Sequence, residues 1–157
     1  MENYLKSIIS SDKYIYNKAK KYIDFLAKPL GSLGELEEIS ARLCSIYRSL
    51  DIDIDKKAII VLASDNGIVE EGIACTPQDI TAIQTVNILE GKTGVAVIAK
   101  QFNVDIFVCD VGIKCDINHP NIINKKIRKC TNNFTKKEAM TREEAIRAIN
   151  VGIELVN

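Results

Sequence analysis

The sequence predicts an α/β fold whose parallel-sheet, Rossmann-like core is incomplete within these 157 residues and is preceded by two N-terminal helices. Three observations predict it. Ala58-Ile59-Ile60-Val61-Leu62-Ala63 is a continuous apolar run, the pattern of a strand buried on both faces of a parallel sheet. A second apolar run, Asp105 to Val111, follows after a stretch of helical patterning, and strand, helices, strand is the βαβ order. Ahead of both, apolar residues recur at spacings of three and four, the helical period.

The elements follow in order. Ile15, Ala19, Tyr22, Ile23 and Leu26 share one helix face, and Lys28-Pro29 ends that helix because the residue before proline is pushed out of the helical region. A second helix carries Leu36, Ile39, Leu43, Ile46, Tyr47 and Leu50 on one side, with Ser32 and Glu35 at capping-box spacing. Asp51 to Asp55 reads as an acidic linker, which puts a boundary between residues 1–55 and 56–157. The first strand breaks at Asp65-Asn66-Gly67. Thr76-Pro77-Gln78-Asp79 has the chemistry of a helix start: a threonine cap, proline at the first position and an acid near the dipole. That helix is expected to run to about Gly91, and a shorter one with Val95, Ile98 and Phe102 leads into the second strand. A short edge strand is expected within Ile122 to Cys130. The last helix opens on a Thr141–Glu144 capping box and is expected to bury Ile146, Ile149, Ile153 and Val156. Two clear strands do not complete a sheet, so the chain reads as the first part of something larger.

Composition narrows the function classes. The chain carries 21 basic and 21 acidic residues, whereas a dedicated nucleic-acid binder needs a cationic excess to displace counterions. No apolar run approaches the roughly 20 residues that span a bilayer, and the N-terminus lacks a signal-peptide pattern, so a cytoplasmic protein is expected. Five cysteines are scattered without a C-x-x-C pair, and the one histidine, His119, sits in a turn-like Asn-His-Pro-Asn context. Neither a zinc site nor a Cys-His nucleophile is supported; the cysteines read as reduced packing residues. Nothing in the sequence calls for a metal or a cofactor.

Ligands of open α/β sheets bind beyond the carboxyl ends of the strands. Asp65 and Asp110 stand at those two ends, where a carboxylate either orients a ligand or satisfies turn amides. On the helix from Pro77, Gln84 and Asn87 interrupt a face that includes Ile80 and Ile83. A buried amide in such a seam needs a partner, which is either a loop or a small polar ligand. Lys28-Pro29-Leu30-Gly31-Ser32-Leu33-Gly34 has small residues and a lysine before a helix, but it follows a helix and lacks P-loop spacing.

Five blocks in order resemble segments of one known family. Lys28 to Gly34 is similar to that family's K-P-x-G-S-L-G segment. Ala63-Ser64-Asp65-Asn66-Gly67-Ile68-Val69 with Glu71-Gly72-Ile73 resembles its A-x-D-H-G-V-x and E-G-V segments. Thr76 to Gln84, Asp110-Val111-Gly112-Ile113 and Ala139 to Ala145 match further blocks. The family is that of the nicotinate-nucleotide–dimethylbenzimidazole phosphoribosyltransferases, and the resemblance implies an α/β domain plus a small helical domain built from both chain ends, and a homodimer. It also implies transfer of phosphoribosyl from nicotinate mononucleotide to 5,6-dimethylbenzimidazole, giving α-ribazole 5′-phosphate and nicotinate, a step in cobalamin lower-ligand assembly. Thr76 and Gln84 match positions that line the base pocket; Asp65 and Asp110 are supporting candidates.

Two departures stand out. Asn66 replaces the histidine of D-H-G, so a proton-transfer role does not carry over to that position. The family's glycine-rich G-E-x-G segment and its late glutamate, the general base, have no counterpart up to Asn157. The expectation is therefore a chain with the base-pocket half and no catalytic residue of its own, inactive alone. The alternative is a non-catalytic base-binding module or one subunit of a split enzyme.

Overall fold

A computed structural model describes residues 2–157, and these divide into two compact units, Glu2–Asp55 and Lys56–Asn157. The first is helical. A short α1 (Glu2–Ser7), which the apolar spacing did not indicate, precedes α2 (Lys13–Phe25) and α3 (Glu35–Tyr47). Asp12 caps α2, its Oδ1 accepting Ile15 N–H at 3.0 Å. Ala19 and Ile23 of α2 pack on Ala41 and Cys44 of α3, and the small side chains let the helices approach closely. The large apolar stripe of α3 lies elsewhere: Leu36, Ile39, Ile46 and Tyr47 are exposed.

Helix α2 stops at Phe25, ahead of Lys28-Pro29. The expected Ser32–Glu35 capping box does not form. Gly31 and Gly34 both take positive φ (70° and 55°), closing successive turns, so α3 starts on Gly34, which offers no side chain. Glu37 reaches back instead, its Oε1 accepting from Leu33 N–H at 3.1 Å and from Lys28 Nζ at 2.7 Å.

The second unit holds a parallel sheet of β1 (Ala58–Ser64), β2 (Asp105–Gly112) and β3 (Ile122–Asn124), in that spatial order. The register Ala58↔Asp105 holds to Ala63↔Asp110, then slips so that Ser64 faces Gly112. This irregularity turns the chain out of the sheet where Asp65 begins. Val108, Cys109 and Asp110 of the central strand are buried, whereas Leu62 of β1 is exposed, as befits an edge strand rather than one covered on both faces. Between β1 and β2 come a 3₁₀ turn (Gly67–Glu71), α4 (Ile80–Leu89) and α5 (Gly94–Gln101); α6 (Arg142–Val156) closes the chain. The Thr141–Glu144 capping box is present, both reciprocal bonds made. The buried residue of α6 is Val151 rather than the expected face, of which Ile149 and Val156 are exposed and Ile146 and Ile153 only half-buried.

Helix α4 begins later than its composition predicts. Pro77 O accepts Ile80 N–H at 3.2 Å and Gln78 O accepts Thr81 N–H at 3.1 Å, so a tight turn occupies 77–80 and Thr76 caps nothing. The buried residue of α4 is Thr85, not the Ile80–Ile83–Gln84–Asn87 face; Ile83 and Gln84 are exposed. The cysteines are free, and only Cys44 and Cys109 are buried packing residues; Cys75 and Cys115 face solvent, because they fall in loops. His119 is a turn residue whose Nδ1 accepts Asn121 N–H at 3.2 Å. Among the described residues no helix is long and apolar enough to cross a membrane.

Candidate functional site

Beyond the carboxyl end of β1 lies an open cleft of about 490 Å³. One wall is the 3₁₀ turn after the strand, the other the loop and first turn leading into α4. Ile68, Val69, Ile73, Pro77 and Ile80 give it apolar surface, while Asn66, Thr76 and Gln84 bring polar groups. An apolar hollow with a few convergent polar groups is the usual form of a small-molecule site.

The structure brings Thr76, Gln84 and Asp65 to this cleft and leaves Asp110 outside it. Asp110 is buried and engaged: Oδ1 accepts Gly112 and Ile113 N–H at 3.0 and 2.9 Å, and Oδ2 pairs with Lys126 Nζ at 3.2 Å. Asp65 is buried as well, and its Oδ2 accepts Lys114 N–H at 2.8 Å, tying the first strand end to the loop after the second. Both carboxylates therefore build the platform under the cleft. Gln84 Oε1 receives only a long contact from Asn87 Nδ2 at 3.5 Å, and its own amide donors meet no described residue. Among the described residues no cluster of His, Cys, Asp and Glu could hold a metal ion.

Other residues shape the cleft and were not singled out by sequence. Gln78 spans its rim, Nε2 donating to Cys130 Sγ at 3.2 Å and to Asn66 O at 3.4 Å. Glu71, at the end of the 3₁₀ turn and outside the cleft lining, is held by Asn133, Thr135 and Lys136. The Asn133 amide, followed by the Thr135 hydroxyl, outweighs partial burial and keeps the Glu71 carboxyl below its ordinary value. The one available signal for this group was Gly67, a glycine between a strand end and a turn; its partners lie more than 60 residues away.

A parallel sheet with a mixed apolar and polar cleft at a strand's carboxyl end is the arrangement of an α/β ligand-binding fold. A phosphoribosyltransferase family model matches residues 8–157, and the chain belongs to that family. It is 49% identical over 152 residues to a nicotinate-nucleotide–dimethylbenzimidazole phosphoribosyltransferase of Clostridium perfringens (strain ATCC 13124), covering 97% of this chain and 42% of the relative. The Clostridium tetani enzyme of the same name is 43% identical, over 100% of this chain and 43% of its own length. The crystal structure of the Thermus thermophilus enzyme superposes with a TM-score of 0.85 at 33% identity, over 91% of this chain and 44% of that one. The chain thus spans less than half the length of the relatives it matches.

Proposed function

We propose that this chain forms the base-binding part of a nicotinate-nucleotide–dimethylbenzimidazole phosphoribosyltransferase. The cleft beside β1 carries the reading: Thr76 and Gln84 meet there, above an apolar floor, with hydrogen-bonding groups that the protein itself leaves open. A flat heterocycle with one polar edge, such as 5,6-dimethylbenzimidazole, fits that combination. In the reaction a ring nitrogen of the base attacks C1′ of nicotinate mononucleotide. The bond from C1′ to the pyridine nitrogen breaks, nicotinate leaves with the electron pair, and the base loses its N–H proton. The cleft holds and orients the base. Phosphate anchoring and proton removal fall to the portion of the relatives that this chain does not match; here Asp110 is engaged through both oxygens, and Asp65 holds the Lys114 N–H. The same reading has the protein working in the cytoplasm as a homodimer, in keeping with exposed apolar side chains such as Leu36, Ile39 and Ile46.

Calorimetric titration with 5,6-dimethylbenzimidazole tests it. Wild type should bind one base per chain, and Gln84→Leu should weaken binding by about 1 kcal/mol, roughly fivefold, the net value of one hydrogen bond. Unchanged affinity would remove Gln84 from the pocket.

A further inference from the structure

The chain that follows β3 reaches the cleft from behind. Cys130 N–H donates to Gly112 O at 3.0 Å, the same carbonyl that accepts Asp65 N–H at 3.1 Å. Thr131 then takes hold of the backbone on both sides of Asn66. Its N–H donates to Asp65 O at 3.1 Å, and its Oγ1 accepts Gly67 N–H at 3.0 Å. A Cβ on Gly67 would stand 2.5 Å from Thr131 O, so the two backbones touch with no room for a side chain. Thr131 does not line the cleft; Asn66 does, with extended backbone (φ −117°, ψ 129°) and a carboxamide that bonds to no described residue. With its backbone fixed on both sides, exposed Asn66 presents an open donor and acceptor from a defined place on the cleft wall.

We propose that Thr131 is a positioning residue that holds Asn66 at the cleft wall, where the Asn66 carboxamide meets the polar edge of the bound nitrogen heterocycle. The inference rests on the base-pocket reading above. A carboxamide both donates and accepts, as does the N–H and bare nitrogen pair of a benzimidazole, and it keeps this capacity at any pH because it does not titrate.

The test is titration of the 157-residue chain with 5,6-dimethylbenzimidazole, run on wild type, Thr131→Val, Thr131→Ser, Asn66→Ala and the Thr131→Val/Asn66→Ala double variant. Thr131→Val and Asn66→Ala should each weaken binding about five- to tenfold, the factor one net hydrogen bond supplies. Thr131→Ser, which keeps the acceptor, should bind as wild type. The double variant should lose no more than either single, because both changes remove one contact. Amide exchange should speed up at Gly67 in Thr131→Val and be restored in Thr131→Ser, with Val108 and Cys109 unchanged, which separates local loosening from general instability. Additive losses in the double variant, or wild-type affinity in Thr131→Val, would overturn the proposal and leave the base pocket standing. A wild-type chain that binds no base would overturn that pocket, and this proposal with it.

Discussion

In the helical unit Lys28 and Glu37 meet at 2.7 Å, and Glu37 also accepts Leu33 N–H, so the lysine and a backbone amide of that glycine-bearing loop are both satisfied by the helix that follows it. Around the cleft of the sheet unit, Asn66, Thr76 and Gln84 keep most of their hydrogen-bonding capacity open. Both segments stand out in the sequence as motif-like, yet one is closed on itself and the other leaves its polar side chains open. The difference lies in what surrounds them. Gly31 and Gly34 fold the first loop back onto its helix, whereas the second is held through its backbone by a distant segment, which frees its side chains.

The largest expected effect comes from breaking that distant hold. A Cβ at Gly67 would lie 2.5 to 2.6 Å from backbone atoms of Thr131, Asn132 and Asn133, none of which can rotate away. Gly67→Ala should cost about 3 kcal/mol, at the upper end of overpacking penalties, read as a lowered urea midpoint. An unchanged midpoint would mean that the 131–133 segment is not seated on the turn.

Acidification should separate the closed loop from the open one. The Lys28 hydrogen bond, then the Leu33 N–H, hold the Glu37 carboxyl below its ordinary 4.5. With the folded value depressed, the pair's contribution is complete above about pH 4.5 and is lost as pH falls through the lower folded value. Glu38 and Glu71 shift in the same direction, so the readout is the difference between wild type and Glu37→Gln. Thermal melts should show a constant gap between wild type and Glu37→Gln above about pH 4.5, and a gap that shrinks as the pH falls below it. An equal gap at all pH values would sever the ion pair from the loop's stability.

The smallest effect has the opposite sign. Gly152 lies inside α6 with nothing within 4 Å of its would-be Cβ. Gly152→Ala should stabilise by about 0.5–1 kcal/mol, the helix-propensity difference, and leave base binding alone. Destabilisation there would show that a close approach is needed at both glycines.

Much of the fold was legible because its signals are local. The Ala58–Ala63 run became β1, and the second apolar run became its parallel partner. Thr141 and Glu144 formed their capping box because no glycine turn intervenes between them. Ser32 and Glu35 have the same spacing and failed, since two positive-φ glycines moved the helix start. Thr76 looked like a cap and instead reached the cleft, because the carbonyls of Pro77 and Gln78 took the first amides of α4. Thr131 was invisible. Its role depends on a contact 64 residues away, which no local pattern announces.

Separation of base pocket from catalytic apparatus is tested most directly by chromatography of α-ribazole 5′-phosphate. The assay supplies nicotinate mononucleotide and 5,6-dimethylbenzimidazole to the 157-residue chain, alone and together with the part of the Clostridium perfringens relative that this chain does not match. Absence of a general base costs about 10²–10⁴-fold, and loss of phosphate positioning adds to it. The chain alone should stay near background, and the complementary portion should restore turnover. Robust turnover by the 157-residue chain by itself would contradict the division and place the catalytic groups within these residues.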